Sequence, residues 1–419
     1  MKRRMLPIAI AIVLCASTLV GCGSKEMDTL ITKDDVVLRE EKEEIEEELE
    51  VENVEKFNKY LPIMEQAIAD GSNVLFSPMS LDYALGMVSY GSDGETREEF
   101  KGYFGVGVDE YTKERNKLMS AYKKEKDVDI LVSNAFICDR KWVIKDDFKA
   151  AIKKQYSAYV SDDYDFTNSA DDVATQVNEF VKEGTKEKIE EVIDKNIVKN
   201  NVAFFINTLY FNGGWNVPFR EEQVEYVNFK NGTGENSIIQ GMYGKGYTYF
   251  ETKNAKAFAK EYKNGAFEFI GILPDESICD ENRNFDITKI DVDALLKSRT
   301  TTYDVSYMLP KFKIETSLSL KDALVSNGLS SAFTDDVADF SKISLKPLKI
   351  TDVIQKTTID INEKGTEASA ATVVILDKTT SLPVEKEVKE VILDRPFAFL
   401  VYDNANDEVL FIGKISELF

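Results

Sequence analysis

The chain has 419 residues, of which 43% are hydrophobic and 11% aromatic, so it can bury a sizeable core and is not an intrinsically disordered protein. It contains no histidine, which excludes Ser-His and Cys-His nucleophile pairs and histidine-ligated metal sites. Its 52 Lys and Arg against 74 Asp and Glu give a formal net charge of −22, which argues against nucleic-acid binding and against electrostatic docking on membranes.

Residues 1–21 have the layout of a secretory signal. Three basic residues at positions 2–4 precede an apolar run over 6–20, which is short for a bilayer span and makes a retained transmembrane helix the weaker alternative. The run ends in Leu19-Val20-Gly21-Cys22, which resembles the bacterial lipobox. That resemblance implies cleavage before Cys22, lipid attachment to its thiol, and an extracytoplasmic protein anchored to the bacterial cell membrane or surface through this lipid.

Residues 22–53 are interpreted as an acidic tether. Between Asp34 and Glu55 there are twelve acidic and two basic residues, a composition typical of a solvated segment that holds a folded body off a surface.

Residues 54–419 are predicted to form one large domain of the α+β class. No repeat or proline-rich linker divides them, and helical and strand-like patterns are interspersed without strict alternation. Hydrophobic spacing and capping signals favour helices over 57–68, 78–91 and from Ser169 to Phe180, where Ser169 and Asp172 suggest a capping box. Apolar, β-branched runs favour strands over 201–211, 305–314, 352–362 and 409–415.

No sequence motif of an enzyme is present. The chain has no G-x-S-x-G elbow, Walker loop or dinucleotide fingerprint, so neither catalysis nor a cofactor is expected. Cys138 and Cys279, the cysteines of the body, are able to form a disulfide outside the cytoplasm or to remain buried thiols. Without a Cys-x-x-Cys motif and without histidine, a zinc site is improbable.

The stretch from Asn362 to Leu376 carries the most specific signal. A strand-like segment runs into Gly365, very small residues follow, and then comes Val-Val-Ile-Leu. Composition alone is compatible with a disordered loop rich in Ala, Ser and Thr. If the stretch is extended, however, one face is small and uncharged and then β-branched, as a strand that enters an existing sheet requires. That face consists of Thr366, Ala368, Ala370, Thr372 and Val374.

This stretch resembles the hinge of the reactive-centre loop of the serpin family, and further motifs follow in the order found in that family. They lie at 73–81 with 90–96, 178–189 (with Phe180 where tryptophan is usual), 207–219, 309–312, 338–341, 365–367 and 394–397. The resemblance covers roughly residues 54–419.

The resemblance implies a serpin fold and a protease inhibitor. The fold would be a single domain with a main five-stranded β-sheet, two further sheets, eight to nine helices and an exposed reactive-centre loop at about 365–390. The inhibitor would act as a suicide substrate, because the loop, cleaved by a serine protease, inserts into the main sheet and traps the acyl-enzyme. The implied partners are extracellular serine proteases, and papain-like cysteine proteases as a further class, for a monomeric inhibitor.

The resemblance also assigns roles to individual residues. The hinge comprises Glu363, Gly365, Thr366, Glu367, Ala368, Ser369, Ala370, Ala371 and Thr372. The breach, where the sheet first opens, comprises Trp215, Lys311 and Glu363. The cluster that controls sheet opening comprises Ser77, Ser80, Asn207 and Gln355, and Gln355 stands where the family usually has histidine.

The scissile bond has two candidate positions. The usual spacing from the hinge places it between Thr379 and Thr380, which suits an elastase- or subtilisin-like target. A shift of one residue puts Lys378 at the primary position and predicts a trypsin-like target.

Two other functions remain open at this point. One is a serpin-fold protein that does not inhibit, although the small hinge residues argue against it. The other is a lipid-anchored solute-binding protein, which accounts for the lipobox and not for the hinge.

Overall fold

The computed structural model describes residues 56–68, 72–263, 265–366 and 386–419. Nine α-helices and sixteen β-strands lie in these ranges, numbered here in chain order. The helices are α1 Tyr60–Ala67, α2 Pro78–Tyr90, α3 Gly94–Phe104, α4 Val108–Tyr122, α5 Asp146–Tyr156, α6 Ala170–Gly184, α7 Lys195–Lys199, α8 Val292–Lys297 and α9 Lys321–Ser326. The strands are β1 Val74–Phe76, β2 Val128–Asp139, β3 Tyr159–Tyr164, β4 Ala203–Gly214, β5 Val224–Lys230, β6 Asn236–Gly246, β7 Tyr249–Glu251, β8 Ala255–Glu261, β9 Phe267–Pro274, β10 Asp304–Pro310, β11 Phe312–Ser319, β12 Ile354–Asn362, β13 Gly365–Thr366, β14 Val388–Ile392, β15 Phe397–Asp403 and β16 Glu408–Ile415.

The strands form three sheets, so the predicted α+β class is confirmed. The main sheet has the order β11-β12-β13-β4-β2-β3, with five long strands and the two-residue strand β13. The core sheet has the order β1-β16-β15-β9-β8-β7, and the small sheet has the order β14-β10-β6-β5. In the core sheet, β9 and β15 are buried along their whole length, which explains their continuous apolar sequences.

Helix α2 lies between two of these sheets. It begins where predicted, because the Ser77 side chain accepts a hydrogen bond from the Ser80 N–H and Pro78 occupies the first turn. The helix packs on β4 of the main sheet and on β16 of the core sheet. It therefore has almost no solvent-facing side, and even its serines are buried.

Two local predictions differ from the structure. The stretch 305–314 is not one strand: β10 ends at Pro310, and β11 starts at Phe312 in a different sheet. Proline cannot donate a hydrogen bond to a ladder, which makes this position a natural point for the chain to change sheets. Helix α6 does begin after Ser169, but the serine side chain makes no capping hydrogen bond, so the capping box is wrong.

Candidate functional site

The hinge begins as a tight hairpin between β12 and β13. Gly365 pairs with Asn362 on one side and with Gly214 of β4 on the other, and Thr366 pairs likewise with Ile361 and Gly213. The first two hinge residues are thus already a short strand between the two central strands of the main sheet.

The segment that follows β4 holds this hairpin by its carbonyl groups. The Trp215 backbone N–H donates to the Lys364 carbonyl at 2.9 Å, and its indole Nε1 donates to the Asn362 carbonyl at 2.9 Å. The Phe219 N–H donates to the Glu363 carbonyl, also at 2.9 Å. Every carbonyl from 362 to 364 therefore has a donor from this one segment.

An ion pair lies over the same hairpin. Lys311, between β10 and β11, places its Nζ 2.9 Å from Oε2 of Glu363. The hydrogen bond from Lys311 holds the pKa of the Glu363 carboxyl below its usual range. Because both side chains are 37% exposed, solvent screening limits the contribution of the pair to less than about 1 kcal/mol.

Beneath the hairpin, Trp215 and Tyr262 form a buried aromatic floor. Their rings stack with centroids 4.7 Å apart, and neither side chain is exposed to solvent. The Tyr262 hydroxyl lies 2.5 Å from the hydroxyl of Thr366, which is itself buried. The side chain of Thr366 therefore points to the protein interior.

Beside the hinge, a length of β4 has no registered partner on the side of β13 among the described residues. In the described residues, β4 pairs with β13 only through Gly213 and Gly214, and from there back to Ala203 its registered partner is β2. A cavity of about 130 Å³ lies at the far end of this length, between β4 and the start of β12. Its apolar lining includes Leu85, Val88, Ala203, Phe205, Ile350 and Ile354.

A comparison with models of protein families identifies the family of the chain. Residues 58–418 match the model described as "Serpin (serine protease inhibitor)". The chain belongs to the serpin family. Serpins are inhibitors of proteases rather than catalysts, which agrees with the absence of enzyme motifs.

Curated relatives and solved structures agree with this membership. A serpin-like protein of Methanosarcina mazei is 28% identical, with 98% of each chain covered. The leukocyte elastase inhibitor of Xenopus laevis is 30% identical, covering 82% of this chain and 93% of its own. The native state of the thermophilic serpin Tengpin superposes with a TM-score of 0.76 at 29% identity, covering 87% of this chain and 93% of that one. The serpin fold implied by the motifs is thereby confirmed.

In this serpin, Gln355 is joined to the start of α2. Its Oε1 accepts from the Ser77 N–H at 2.8 Å, and its Nε2 donates to the Ser77 carbonyl at 2.9 Å. The Ser77 hydroxyl donates to the Leu410 carbonyl and accepts from the Ser80 N–H. Three of the four residues expected to control sheet opening thus form one buried network, and the amide of Gln355 fits it because it both donates and accepts.

Asn207, the fourth residue of that expected cluster, bonds elsewhere. Its Nδ2 donates to Oδ1 of Asn134 at 2.7 Å, and Asn134 in turn donates to the Tyr156 carbonyl. Within the described residues, the buried Oδ1 of Asn207 has no hydrogen-bond partner. Asn207 is therefore separate from the network of Ser77, Ser80 and Gln355.

Several predicted residues lie outside the described ranges. These are the signal at 1–21, the tether at 22–53 with Cys22, the hinge residues Glu367, Ala368, Ser369, Ala370, Ala371 and Thr372, and the scissile-bond candidates Lys378, Thr379 and Thr380.

Three further features of the described residues concern their cysteines, metal ions and membrane spans. Cys138 and Cys279 are both free thiols, and burial raises the pKa of the Cys138 thiol to about 12. The described part of the chain has no group of three or more acidic or thiol side chains suited to a metal ion. Among the described helices, none has both the length and the apolar character needed to cross a bilayer.

Proposed function

We propose that this serpin inhibits extracellular serine proteases as a suicide substrate, by inserting its cleaved reactive-centre loop into the main sheet. The observation that supports this most directly is strand β13. Gly365 and Thr366 already pair between β12 and β4, and next to them a length of β4 has no partner on the same side among the described residues.

The register of β13 predicts how insertion continues. Each further hinge residue faces the preceding residue of β4, which puts Ala368 opposite Phe211 and Ala370 opposite Leu209. Facing residues of antiparallel strands share a side of the sheet, and Thr366 points to the interior, so these alanines would enter the core. Phe211 and Leu209 are buried, which explains why small apolar side chains suit these positions.

The same register puts Thr372 opposite Asn207. The threonine hydroxyl would then meet the asparagine Oδ1, which has no donor among the described residues of the native sheet. Insertion would therefore give this buried acceptor a donor, which favours the inserted form.

Further along, Val374 and Leu376 fall opposite Phe205 and Ala203, two residues that line the apolar cavity. Filling a cavity with branched apolar side chains stabilises a protein by about 1 to 2 kcal/mol for each side chain buried. Strand β4 starts at Ala203, so residues beyond Leu376 have no β4 partner. A bond at Thr379–Thr380, or at Lys378, lies just past this limit.

The target class follows from the bond that is cut. Cleavage after Thr379 suits elastase- or subtilisin-like proteases, and cleavage after Lys378 suits trypsin-like ones; papain-like cysteine proteases are a further candidate class. Among the relatives, one is named as an inhibitor of leukocyte elastase. We place the protein outside the cytoplasm, held to the membrane by lipid on Cys22, on the basis of the lipobox.

One experiment separates the candidate functions. The mature protein is incubated with elastase, subtilisin and trypsin in turn, and each reaction is followed by denaturing gels and by thermal unfolding. A covalent complex that survives denaturant, together with a higher melting temperature of the cleaved protein, supports inhibition. Cleavage with a raised melting temperature and no complex indicates a serpin that is only a substrate. Cleavage with an unchanged melting temperature contradicts loop insertion. Family membership sets aside the solute-binding alternative.

A further inference from the structure

Lys260 of β8 is a buried cation without an acidic partner among the described residues. The residue is 8% exposed, and its Nζ donates to the Val217 carbonyl at 2.8 Å and lies 3.4 Å from the Tyr307 hydroxyl. Buried lysines are normally paired with a carboxylate, so this arrangement needs an explanation.

Aromatic rings surround the ammonium group. Nζ lies 4.1 Å from the ring centroid of Phe219, 5.3 Å from that of Trp215 and 6.0 Å from that of Tyr307. The ring faces attract a cation and offset part of its desolvation. Burial nevertheless lowers the pKa of Lys260 to about 7.

The charged and titratable groups around Lys260 are few. Among the described residues, Tyr307 of β10 alone brings a titratable group into contact with Nζ, and burial raises the pKa of that phenol, so it stays neutral in the physiological range. The segment after β4 contributes Trp215, Val217 and Phe219, which do not titrate. On β8 itself, the Glu261 side chain accepts from Asn216.

Lys260 contacts the segment 215–219, which holds the hinge hairpin by hydrogen bonds. Val217 lies between Trp215 and Phe219, the two residues whose N–H groups hold the carbonyls of Asn362, Glu363 and Lys364. One ammonium group thus touches the ring on either side of Val217 and bonds the carbonyl between them. The sequence gives no signal of a special role for Lys260. It lies in an ordinary strand pattern in which larger residues alternate with alanines.

We propose that Lys260 is a positioning residue for the hinge: it fixes the segment 215–219 and thereby sets how readily the hairpin at 362–365 opens at the start of loop insertion. The inferred effect on loop insertion rests on the proposed function. The contact between Lys260 and the segment that holds the hinge does not depend on it. Loss of the Lys260 ammonium removes the hydrogen bond to the Val217 carbonyl and the contacts with the rings of Trp215 and Phe219, and thereby loosens the segment that carries the hinge.

Hydrogen–deuterium exchange of the full-length protein tests the contact with the hinge. In Lys260→Met, the amides of Trp215 and Phe219 are expected to exchange about three- to tenfold faster than in the wild type, as the loss of one part-buried hydrogen bond predicts. In Lys260→Gln, which keeps a neutral N–H donor, exchange should lie closer to the wild type. Lys256→Met on the same strand is the matched control and should leave both amides unchanged. Equal exchange in Lys260→Met and the wild type overturns the proposal.

Tryptophan fluorescence tests the state of the ammonium beside Trp215. The chain has two tryptophans, so a Trp142→Phe background leaves Trp215 as the sole emitter. Its emission should change with a midpoint near pH 7 in this background and in the Lys256→Met control. The transition should vanish in both Lys260→Met and Lys260→Gln. A transition that survives in these two variants contradicts the assignment of Lys260 as its origin.

A third measurement links the residue to inhibition. With a protease that forms a complex with the wild type, Lys260→Met should change the ratio of trapped to merely cleaved inhibitor at least about threefold, and Lys256→Met should not. An unchanged ratio together with faster exchange refutes the role in insertion. If the wild type traps no protease, the proposed function fails, and the exchange and fluorescence results still decide whether Lys260 positions the hinge.

Discussion

At the scale of single residues, two polar contacts join residues that are expected to govern the opening of the main sheet. Gln355 satisfies both backbone groups of Ser77 at once, so the start of α2 is tied to β12 by a neutral side chain. Glu363 and Lys311 form an exposed pair over the hinge hairpin. The first contact is buried and costly to break, whereas the second is screened by solvent.

Replacing Gln355 should therefore destabilise the native protein strongly. Gln355→Leu leaves the buried Ser77 N–H unpaired and removes one of two donors from the Ser77 carbonyl, which still accepts from the Leu81 N–H, so the free energy of unfolding should fall by about 1 to 3 kcal/mol. Thr358→Val on the same strand removes a single, half-buried hydrogen bond to Ile314 and should cost less than about 1 kcal/mol. Denaturant unfolding measures the loss of stability in both variants. Equal losses would contradict the importance of the two hydrogen bonds between Gln355 and Ser77.

The ion pair predicts a pH dependence with a definite sign. Because the folded-state pKa of Glu363 is lowered, the pair stabilises the protein above the ordinary glutamate pKa and stops doing so as the pH falls through the folded-state value. The wild type should exceed Lys311→Met in melting temperature at pH 7, by a difference worth less than about 1 kcal/mol that disappears in acid. Lys313→Met, at an exposed position of β11, is the control. A difference that persists in acid would mean that Lys311 acts through another group.

At the scale of elements, the relation between β13 and β4 sets which hinge residues must be small. If the register is continued from Thr366, residues of even number would face the interior and residues of odd number the other side, where Glu367 would lie opposite the half-exposed Asn212. The hinge composition follows this division.

A charge on the inner face should block insertion. Ala370→Glu would put a carboxylate opposite the buried Leu209, at a cost of about 3 kcal/mol or more, which slows insertion by more than about a hundredfold. Loop cleavage should then proceed without a trapped complex. Ser369→Glu, on the face of Glu367, is the matched control and should retain most inhibition. The ratio of complex to cleaved inhibitor on gels measures both.

The partner of Asn207 gives a test of the register itself. Thr372→Val should leave the native melting temperature unchanged and lower the stability of the cleaved, inserted form by about 1 to 2 kcal/mol, because Asn207 Oδ1 stays unpaired. Thr372→Ser keeps the hydroxyl and should behave as the wild type. If valine has no effect on the cleaved form, the register extended from β13 is wrong.

At the scale of the whole molecule, the proposed function sets native stability against inhibition. Among the described residues, a length of β4 and the Asn207 Oδ1 have no partner and an apolar cavity lies beside β4, so a further strand that filled these places would stabilise the inserted form relative to the native one. A substitution that fills one of these places should stabilise the native protein and weaken the drive for insertion.

Ala203→Leu tests this competition. The added side chain would enter the cavity of about 130 Å³ and raise the free energy of unfolding of the native form by about 1 kcal/mol. It would also occupy the place of Leu376, so the gain in melting temperature on cleavage should shrink. Ala150→Leu, at an exposed position of α5, adds the same apolar group without filling the cavity. If the gain in melting temperature on cleavage is the same in both variants, filling the cavity does not contribute to the free energy of loop insertion.

Local patterns were sufficient for much of the fold and for part of the site. The cap at Ser77, the strands β4, β12 and β16 and the small face of the hinge follow from neighbours in sequence, since capping and side-chain periodicity are properties of a few consecutive residues. The break between β10 and β11 was missed, because an apolar run does not reveal that its two halves join different sheets.

The sequence by itself determined the family and the mixed fold, because both depend on ordered local motifs, and the same motifs predict the segment that would be cut. Only the tertiary structure decided what the site residues touch. Gln355 meets Ser77 across 278 positions, Trp215 meets Asn362 across 147, and Tyr262 meets Thr366 across 104. It also buried Lys260 beside the hinge and separated Asn207 from its expected cluster. Such contacts depend on which strands become neighbours, and no local pattern specifies that.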